Sequence, residues 1–394
     1  MRAPMRVLMV SSLWPPAVLG GAERYAAALA DRLRAAGHEV GVMTTVDVPD
    51  EHVVARIPSW AYPMTEYAEQ PAARRAVFHA GDLVRPDAAR TIDRVIRDFR
   101  PDVVHSHVVQ GMGATSLTRP AHHGIAHVHT LHDYWLLCQR TSLVQRDGTA
   151  CATRCATCRM VSGVRDATIR RHPPDVVIAS SKAIARIHGD ALPWVRDRVR
   201  VVYNPVTEHT GPPRRRPEPG AVVFGFVGQV SRTKGVLTLV DAMRAADLPD
   251  ARLVVGGRGP DLDAVAAAGP PVEVRGWLDD APLDALYAEI DCLVVPSEWE
   301  DPAPLVLNEA RARGIPVIGA RIGGIPELVA PQCEALLFPS GDAAALADRL
   351  TRFAADPDPF VPVPAAAPND WDGHLREVLA AYRDAAGATE RGVG

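Results

Sequence analysis

The sequence predicts an α/β chain built from two Rossmann-like, doubly wound domains. Three observations predict it. Apolar runs of strand length alternate with helical patterns along the whole chain, which implies parallel sheets covered on both faces. The runs fall into two series of six. Between the series, residues 205–220 hold five prolines and the run Arg214-Arg215-Arg216 without periodicity, a composition that does not easily hold regular structure. At 394 residues the chain also exceeds the usual size of a single core.

The first series comprises residues 7–10, 40–44, 103–105, 126–130, 176–179 and 199–203. The second comprises residues 222–227, 252–255, 272–275, 292–295, 317–319 and 335–338. The first helix is readable in detail. Over residues 22–36, Tyr25, Leu29, Leu33 and Ala36 share one face, and Gly37 is a natural stop. The domains are set at 1–204 and 221–370, with 205–220 as the linker. Residues 356–368 are rich in Pro and Ala. A final helix falls within 371–390, amphipathic over 371–385, and the tail from Gly387 is expected to be disordered.

Apolar residues make up 47% and charged residues 23%, an ordinary globular composition. The net charge of −4 argues against bulk electrostatic binding to nucleic acid. Of 43 cationic residues only Lys182 and Lys234 are lysines. Codon bias explains most of that, but a retained Lys also suits a place that needs a point charge. No segment reaches the ~20 apolar residues of a membrane span. The N-terminal strand is too short for a signal peptide, and no small-residue cleavage site follows it. The expected location is the cytoplasm.

Glycine-bearing turns between strand and helix bring backbone N–H groups and a helix dipole to one point, which favours an anion. The first runs from Trp14 to Glu23 and holds Gly20-Gly21. On residue type alone, a tight turn without ligand reads it equally well. The second runs Gly228-Gln229-Val230-Ser231-Arg232-Thr233-Lys234-Gly235 and adds two cations. A solvated basic turn is its plain alternative. Gly256-Gly257-Arg258-Gly259-Pro260 and Arg275-Gly276-Trp277 make a third region, where a base or ribose would pack; Trp277 reads equally well as core.

The most informative segment is residues 296–331. A buried strand, 292–295, runs into an acidic, proline-rich loop. A helix follows, with Asp301 and Glu309 bracketing seven residues. It stops at Gly314, and a short strand then leads to Gly323-Gly324. This is the form of an α/β ligand site at the C-terminal ends of strands. Acidic charge at a helix N-terminus is also favourable without any ligand. Pro302 and Pro304 carry no N–H, so Ala303, Leu305 and Val306 must supply any backbone donors.

In their order along nearly the whole chain these motifs resemble the retaining nucleotide-sugar glycosyltransferases of family 4, glycosyl transferases group 1, of GT-B fold. The resemblance implies two domains facing a central cleft, with the last helix crossing back onto the N-terminal domain. It implies a nucleotide-diphosphate-sugar donor bound by Gly20, Gly21, Gly228, Arg232, Lys234, Gly257, Asp301, Ala303, Leu305, Val306 and Glu309. Lys234 matches the family lysine that clamps the diphosphate. The family arginine is replaced here by Gln229, and Arg232, three residues on, is its candidate substitute. Asp301 takes the first place of the family's Glu–seven residues–Glu motif and faces the donor sugar, one methylene shorter than usual. Glu309 takes the second place and accepts from the ribose hydroxyls. His132, in Thr130-Leu131-His132-Asp133-Tyr134-Trp135, matches the histidine that hydrogen-bonds the donor sugar and borders the acceptor. The resemblance thus makes His132, Lys234 and Asp301 catalytic, with front-face attack, the leaving phosphate as base, and no catalytic metal. His105, His107, His127 and His129 remain open between site and core; His127 and His129 should share one face of their strand.

Cys138, Cys151, Cys155 and Cys158 are separated by twelve, three and two residues. In a cytoplasmic chain such a cluster reads more readily as a metal site than as disulfides. Four thiolates suit a closed, structural tetrahedral Zn²⁺ site, organising residues 139–159. A redox pair Cys155-x-x-Cys158, or free thiols, are the rival readings.

The function read from the sequence is sugar transfer to an acceptor hydroxyl, on a small molecule, a natural-product core or a lipid-linked glycan. A GT-B sugar-nucleotide epimerase or hydrolase, and a non-catalytic nucleotide-sugar-binding protein, are the alternatives. A phosphorylase is disfavoured, because Lys182 and Lys234 are poor Schiff-base candidates. The basic helix over 85–99, with Arg85, Arg90, Arg94 and Arg97, reads as a solvated face, with peripheral membrane contact as the alternative.

Overall fold

A computed structural model of the protein describes residues 4–145, 148–151, 153–206, 221–360 and 370–392. The expected linker therefore lies outside the described residues from 207 on, as do residues 361–368 of the Pro/Ala-rich stretch. The chain divides into two compact units. One is Met1–Leu143, Thr153–Tyr203 and Asp372–Gly394; the other is Val144–Ala152 and Asn204–Trp371.

The first unit carries a parallel sheet of β1 (Arg6–Val10), β2 (Glu39–Thr44), β3 (Val53–Arg56), β4 (Val103–Ser106), β5 (Ala126–Leu131), β6 (Val176–Ala179) and β7 (Val199–Val201), in the order β3-β2-β1-β4-β5-β6-β7. The second carries β8 (Val223–Val227), β9 (Arg252–Gly256), β10 (Val272–Gly276), β11 (Cys292–Val295), β12 (Val317–Ala320) and β13 (Leu337–Phe338), in the order β10-β9-β8-β11-β12-β13. In each sheet the order reverses beside the first strand, which makes the topological switch point of a doubly wound fold. Central strands such as β4, β6 and β11 are buried at every position, as parallel strands covered on both faces must be.

β7 stops at Val201, two residues short of expectation, and two strands differ more. β3 was not foreseen: it spans only four edge residues that alternate between half-buried and exposed. Ala335 and Leu336, expected in the last strand, close a 3₁₀ turn over Pro331–Leu336 and leave β13 two residues long. The helices keep their expected faces more closely. Gly21–Ala35 buries Tyr25, Leu29 and Leu33, and Gly37 turns the chain at φ +90°; Ala36 caps the helix and is exposed rather than buried.

Helix Pro86–Phe99 packs Ile92, Val95 and Ile96 into the core and turns Arg90, Arg94 and Arg97 to solvent. Its apolar face is thus packed inside the unit, and its basic face is the one exposed. Arg85 does not join the basic face. It is buried, donating to Asp87 and to the carbonyls of Gly111 (2.7 Å) and Pro58 (2.9 Å). Among the described residues no helix is long and apolar enough to cross a membrane.

The last helix runs Trp371–Gly392, so residues 387–392 are helical where a disordered tail was expected. Val378, Ala381, Tyr382 and Ala385 are fully buried within the first unit. Tyr382 Oη bonds His105 Nδ1 at 2.8 Å, and Thr389 reaches Asp175. That packing explains why the helix continues to its end.

A buried ion pair ties the first unit together. Arg165, on helix Ala156–Ile169, donates to Asp82 Oδ2 at 2.8 Å, and neither side chain is exposed to solvent. Asp82 also accepts from Trp135 Nε1 (2.6 Å) and from the Gly111 N–H (2.5 Å). Arg165 in turn donates to the Trp135 carbonyl and lies over its ring. Breaking such a pair strands a charge in a low-dielectric interior. Arg165→Ala should therefore destabilise the protein by roughly 3–5 kcal/mol, read as a fall in the urea midpoint. A midpoint within error of the wild type would show that Asp82 finds another partner.

Candidate active site

In the first unit the site grows from the C-terminal ends of β4 and β5. His132 follows β5 directly and is half-buried. Its Nε2 lies 3.0 Å from Nδ1 of His107, just beyond β4. Tyr25 sets its ring edge against both imidazoles, at 5.3 Å from His132 and 5.9 Å from His107. Burial holds His132 down at about 4, so the ring is neutral near pH 7. Asp133 next to it is pushed up to about 6, mainly by burial, although its Oδ1 accepts from the Trp135 N–H at 2.8 Å. A cavity of about 10 Å³ lies among His107, His129, His132, Asp133 and Trp135.

The other histidines of this stretch are core residues with structural partners. His127 Nε2 and His129 Nδ1 both meet Ser106 Oγ, at 2.8 and 2.9 Å, so they do share a face. His105 is held by Tyr382 Oη and by Thr130 Oγ1 at 2.7 Å. Gly20-Gly21 opens helix Gly21–Ala35, but the Gly20 N–H is already taken by Glu23 Oε2 at 3.0 Å, the reach-back half of a capping box. Only the following N–H groups of the first turn are left to face an anion.

In the second unit the turns after β8, β9 and β11 converge. A Cβ on Gly235 would lie 1.8 Å from the Pro296 carbonyl oxygen, and one on Gly257 would lie 1.8 Å from that of Gly228. Both glycines also have positive φ, so close backbone approach and conformation both require them. This brings Lys234 to the loop after β11, where its Nζ donates to Asp301 Oδ2 at 2.6 Å and lies 5.1 Å from the Trp299 ring centre. Asp301 is buried, and Ser297 Oγ donates to the same oxygen at 3.2 Å. The Asp301 carbonyl accepts from the Gly324 N–H at 2.8 Å, and Glu300 Oε2 from the Gly323 N–H at 3.1 Å. Asp301 thus sits in the loop, and the helix begins only at Leu305. Leu305 and Val306 are its first two residues, whose N–H groups have no intrahelical acceptor.

Glu309, half-buried on that helix, accepts from Tyr287 Oη at 2.5 Å, and Arg313 lies over the Tyr287 ring. Arg232 is exposed; its backbone N–H donates to Asp261 at 2.5 Å while its side chain packs beside Gly148. It does not join Lys234 and Asp301. Gln229 is exposed as well. Trp277 is 45% exposed, with Arg258 stacked on it at 4.5 Å, so it is not core. Arg275 is committed to Glu273 and Glu289. Sequence reasoning missed Ser297, Trp299 and Glu300, which lie inside the motif already singled out, and Tyr287, which no local pattern ties to Glu309.

The zinc expectation is not supported. Cys138 and Cys158 bring their sulfurs to 3.8 Å, but Cys155 is exposed and caps helix Ala156–Ile169, its Sγ accepting from the Cys158 N–H. Cys151 belongs to the segment grouped with the second unit. Among the described residues no group of three or more His, Cys, Asp or Glu could hold a metal ion. The Cys158 thiol is pushed up to about 12, chiefly by burial.

Comparison with known proteins bears on both units. Residues 221–356 match the family model Glycosyl transferases group 1, and residues 19–209 match Glycosyltransferase Family 4. The GDP-mannose-dependent alpha-mannosyltransferase of Mycolicibacterium smegmatis is 30% identical over 368 residues, 89% of this chain and 89% of that protein. The 2-deoxystreptamine N-acetyl-D-glucosaminyltransferase of Streptomyces fradiae is 30% identical over 312 residues, covering 74% of this chain and 68% of that protein. A solved sucrose-phosphate synthase from Thermosynechococcus elongatus superposes with a TM-score of 0.68 at 22% identity, over 98% of this chain and all of that one, and so shares the fold.

The raised Asp133 carboxyl has a measurable consequence. Its folded value, about 6, lies above the unfolded one, so folding favours the protonated form, and its ionisation costs stability as pH rises from about 4 through 6. Asp133→Asn keeps the acceptor for Trp135 and removes that charge. The variant should be more stable than the wild type by on the order of 1–2 kcal/mol at pH 7.5, with the gap closing below pH 4. Equal melting temperatures at both pH values would show that the carboxyl ionises without cost.

Proposed function

Because the chain belongs to glycosyltransferase family 4, we propose that it transfers a sugar from a nucleotide-diphosphate sugar to an acceptor hydroxyl, with retention at the anomeric carbon. The acceptor oxygen bonds to the anomeric carbon as the bond from that carbon to the phosphate oxygen breaks, and the acceptor proton passes to the departing phosphate. The observation that carries the reading is Lys234, held where the glycine-bearing turn after β8 closes against the loop after β11, with its Nζ 2.6 Å from buried Asp301. A departing diphosphate gains negative charge, and a fixed ammonium beside open helix N–H groups stabilises it.

In this reading Leu305 and Val306 supply backbone donors, Glu309 accepts from the ribose, and Asp301 orients Lys234. His132, neutral at working pH, meets a substrate hydroxyl. Arg232 is left out of the diphosphate clamp, because its side chain packs beside Gly148. Lys234 and the N–H groups meet the diphosphate charge, so transfer should persist in EDTA. A reducing cytoplasm would suit Cys138 and Cys158, whose sulfurs lie 3.8 Å apart as thiols.

The test is a panel of nucleotide sugars, including GDP-mannose, scored by thermal shift and by nucleotide release. Acceptors of different class follow, an aminocyclitol among them. The two relatives' names motivate those two arms. Failure of every donor to raise the melting temperature would end the reading.

Two variants separate the roles. Lys234→Gln should lower kcat by about 10²–10³-fold. It should also cost some stability, because Asp301 loses its cation. Turnover near that of the wild type would remove Lys234 from the leaving-group role. Glu309→Ala should raise the donor KM about tenfold with kcat kept, because ribose contacts are shared by ground and transition states. A collapsed kcat at constant KM would assign Glu309 to the chemistry instead.

A further inference from the structure

We infer that His107 is a positioning residue for His132: its Nδ1–H donates to His132 Nε2 and so leaves His132 Nδ1–H as the one group that ring offers to a substrate hydroxyl. The inference rests on the reading of His132 given above and adds which nitrogen acts and what sets it.

The geometry is specific. His132 Nε2 and His107 Nδ1 are 3.0 Å apart, so His132 has a single nitrogen left for any other partner. Burial depresses both rings' affinity for protons, so both are neutral, and one proton is shared across the contact. Two arrangements exist. If His132 Nε2 were the donor, His107 would have to carry its proton on Nε2. That atom is buried and has no hydrogen-bond partner among the described residues. An N–H stranded there would pay its full desolvation cost. If His107 Nδ1 donates, Nε2 is left as a bare ring nitrogen, and His132 must carry its own proton on Nδ1. Only this second arrangement gives His132 an N–H to donate.

His107 is itself held rigidly. It lies 4.1 Å, centre to centre, from the ring of His105. His105 has both nitrogens occupied, by Tyr382 Oη and Thr130 Oγ1. Tyr25 closes the other side, its hydroxyl 2.8 Å from His374 Nε2. The His374 Nδ1 faces the Tyr203 carbonyl at 3.0 Å; a carbonyl only accepts, so Nδ1 carries the proton and Tyr25 must be the donor. Tyr382 and His374 both belong to the last helix. That helix therefore braces the ring that braces His132.

The full chain labelled with ¹⁵N-histidine tests the bond directly. Long-range ¹H–¹⁵N spectra distinguish a protonated ring nitrogen from a bare one, and His132→Gln identifies the His132 signals. The expected pattern is a protonated Nδ1 and a bare Nε2 on His132; the reverse overturns the inference. Two variants supply the kinetic arm. Asn at 107 restores an N–H donor near the Nδ1 position, and Leu does not. His107→Leu should lower kcat by about 10- to 100-fold at unchanged donor KM, and His107→Asn should recover most of it. Equal losses in both variants, in step with equal falls in melting temperature, would make His107 structural only and overturn the inference. The spectra need no substrate, so they stand even if no donor is ever turned over, an outcome that would instead sink the transferase reading.

Discussion

The 2.6 Å bond from Lys234 Nζ to Asp301 Oδ2 is the constraint on which the second unit's site depends. It joins the turn after β8 to the loop after β11, two neighbouring strands at the sheet's switch point. The approach is made by backbone, not side chains. Gly235 lets its turn close against the Pro296 carbonyl, and the Thr233 carbonyl accepts from the Glu298 N–H at 2.8 Å. On the far side Gly323, whose Cβ would lie 2.3 Å from the Asp301 carbonyl oxygen, presses the Gly-Gly turn onto the same loop. Three turns are locked at backbone distance around one ammonium, so its position is fixed before any ligand arrives. Such preorganisation is what makes a charge effective against a developing anion.

The first unit meets the opposite electrostatic demand. His105, His107, His127, His129 and His132 lie on or just beyond β4 and β5, and burial lowers the proton affinity of each of these five. Charged imidazoles packed together would repel in a poorly screened interior, so the cluster is stable only when neutral. Linkage then gives the sign. These rings bind fewer protons folded than unfolded between their lowered values and 6.5, so their contribution to stability is present above that window and is lost as pH falls through it. Among the described residues, Arg165–Asp82 is an ion pair with both partners shielded from solvent, and it supports the backbone of the segment that carries His132 through the Trp135 carbonyl.

How much of this the sequence discloses depends on whether a pattern is local. Strands β1, β4, β6, β8 and β11 are short apolar runs that cannot be anything else between helical patterns, and they fell within a residue or two of their expected positions. β3 escaped because a four-residue edge strand with one half-wet face has no apolar run to show. The last helix was foreseen but cut short, since Thr389 near its end bonds Asp175, 214 positions away in the sequence. Among candidate site residues, Lys234 lies in one glycine-bearing turn and Asp301 and Glu309 in a second motif, and only the fold sets Lys234 Nζ against Asp301. Tyr287, 22 positions before its partner Glu309, was not, because only the tertiary fold brings it there. Arg232, the sequence's candidate for the missing arginine, has its side chain packed beside Gly148, a placement no local pattern discloses.

The identity of residue 234 follows from the same geometry. In a chain whose other cations are almost all Arg, a lysine here needs a reason. Its partner Asp301 presents one oxygen, Oδ2, which also accepts from Ser297. The Trp299 ring lies on another side of the ammonium. A guanidinium gains most where two acceptors match its planar fork. One acceptor atom, an aromatic face and open backbone N–H groups nearby instead favour a compact charge on a flexible stem, which can hold Asp301 at rest and turn part of its field toward an arriving anion. Lysine thus meets both demands of the site, a single-point anchor to Asp301 and a compact charge left to face the ligand, where arginine would serve the first only by giving up much of its hydrogen-bonding capacity.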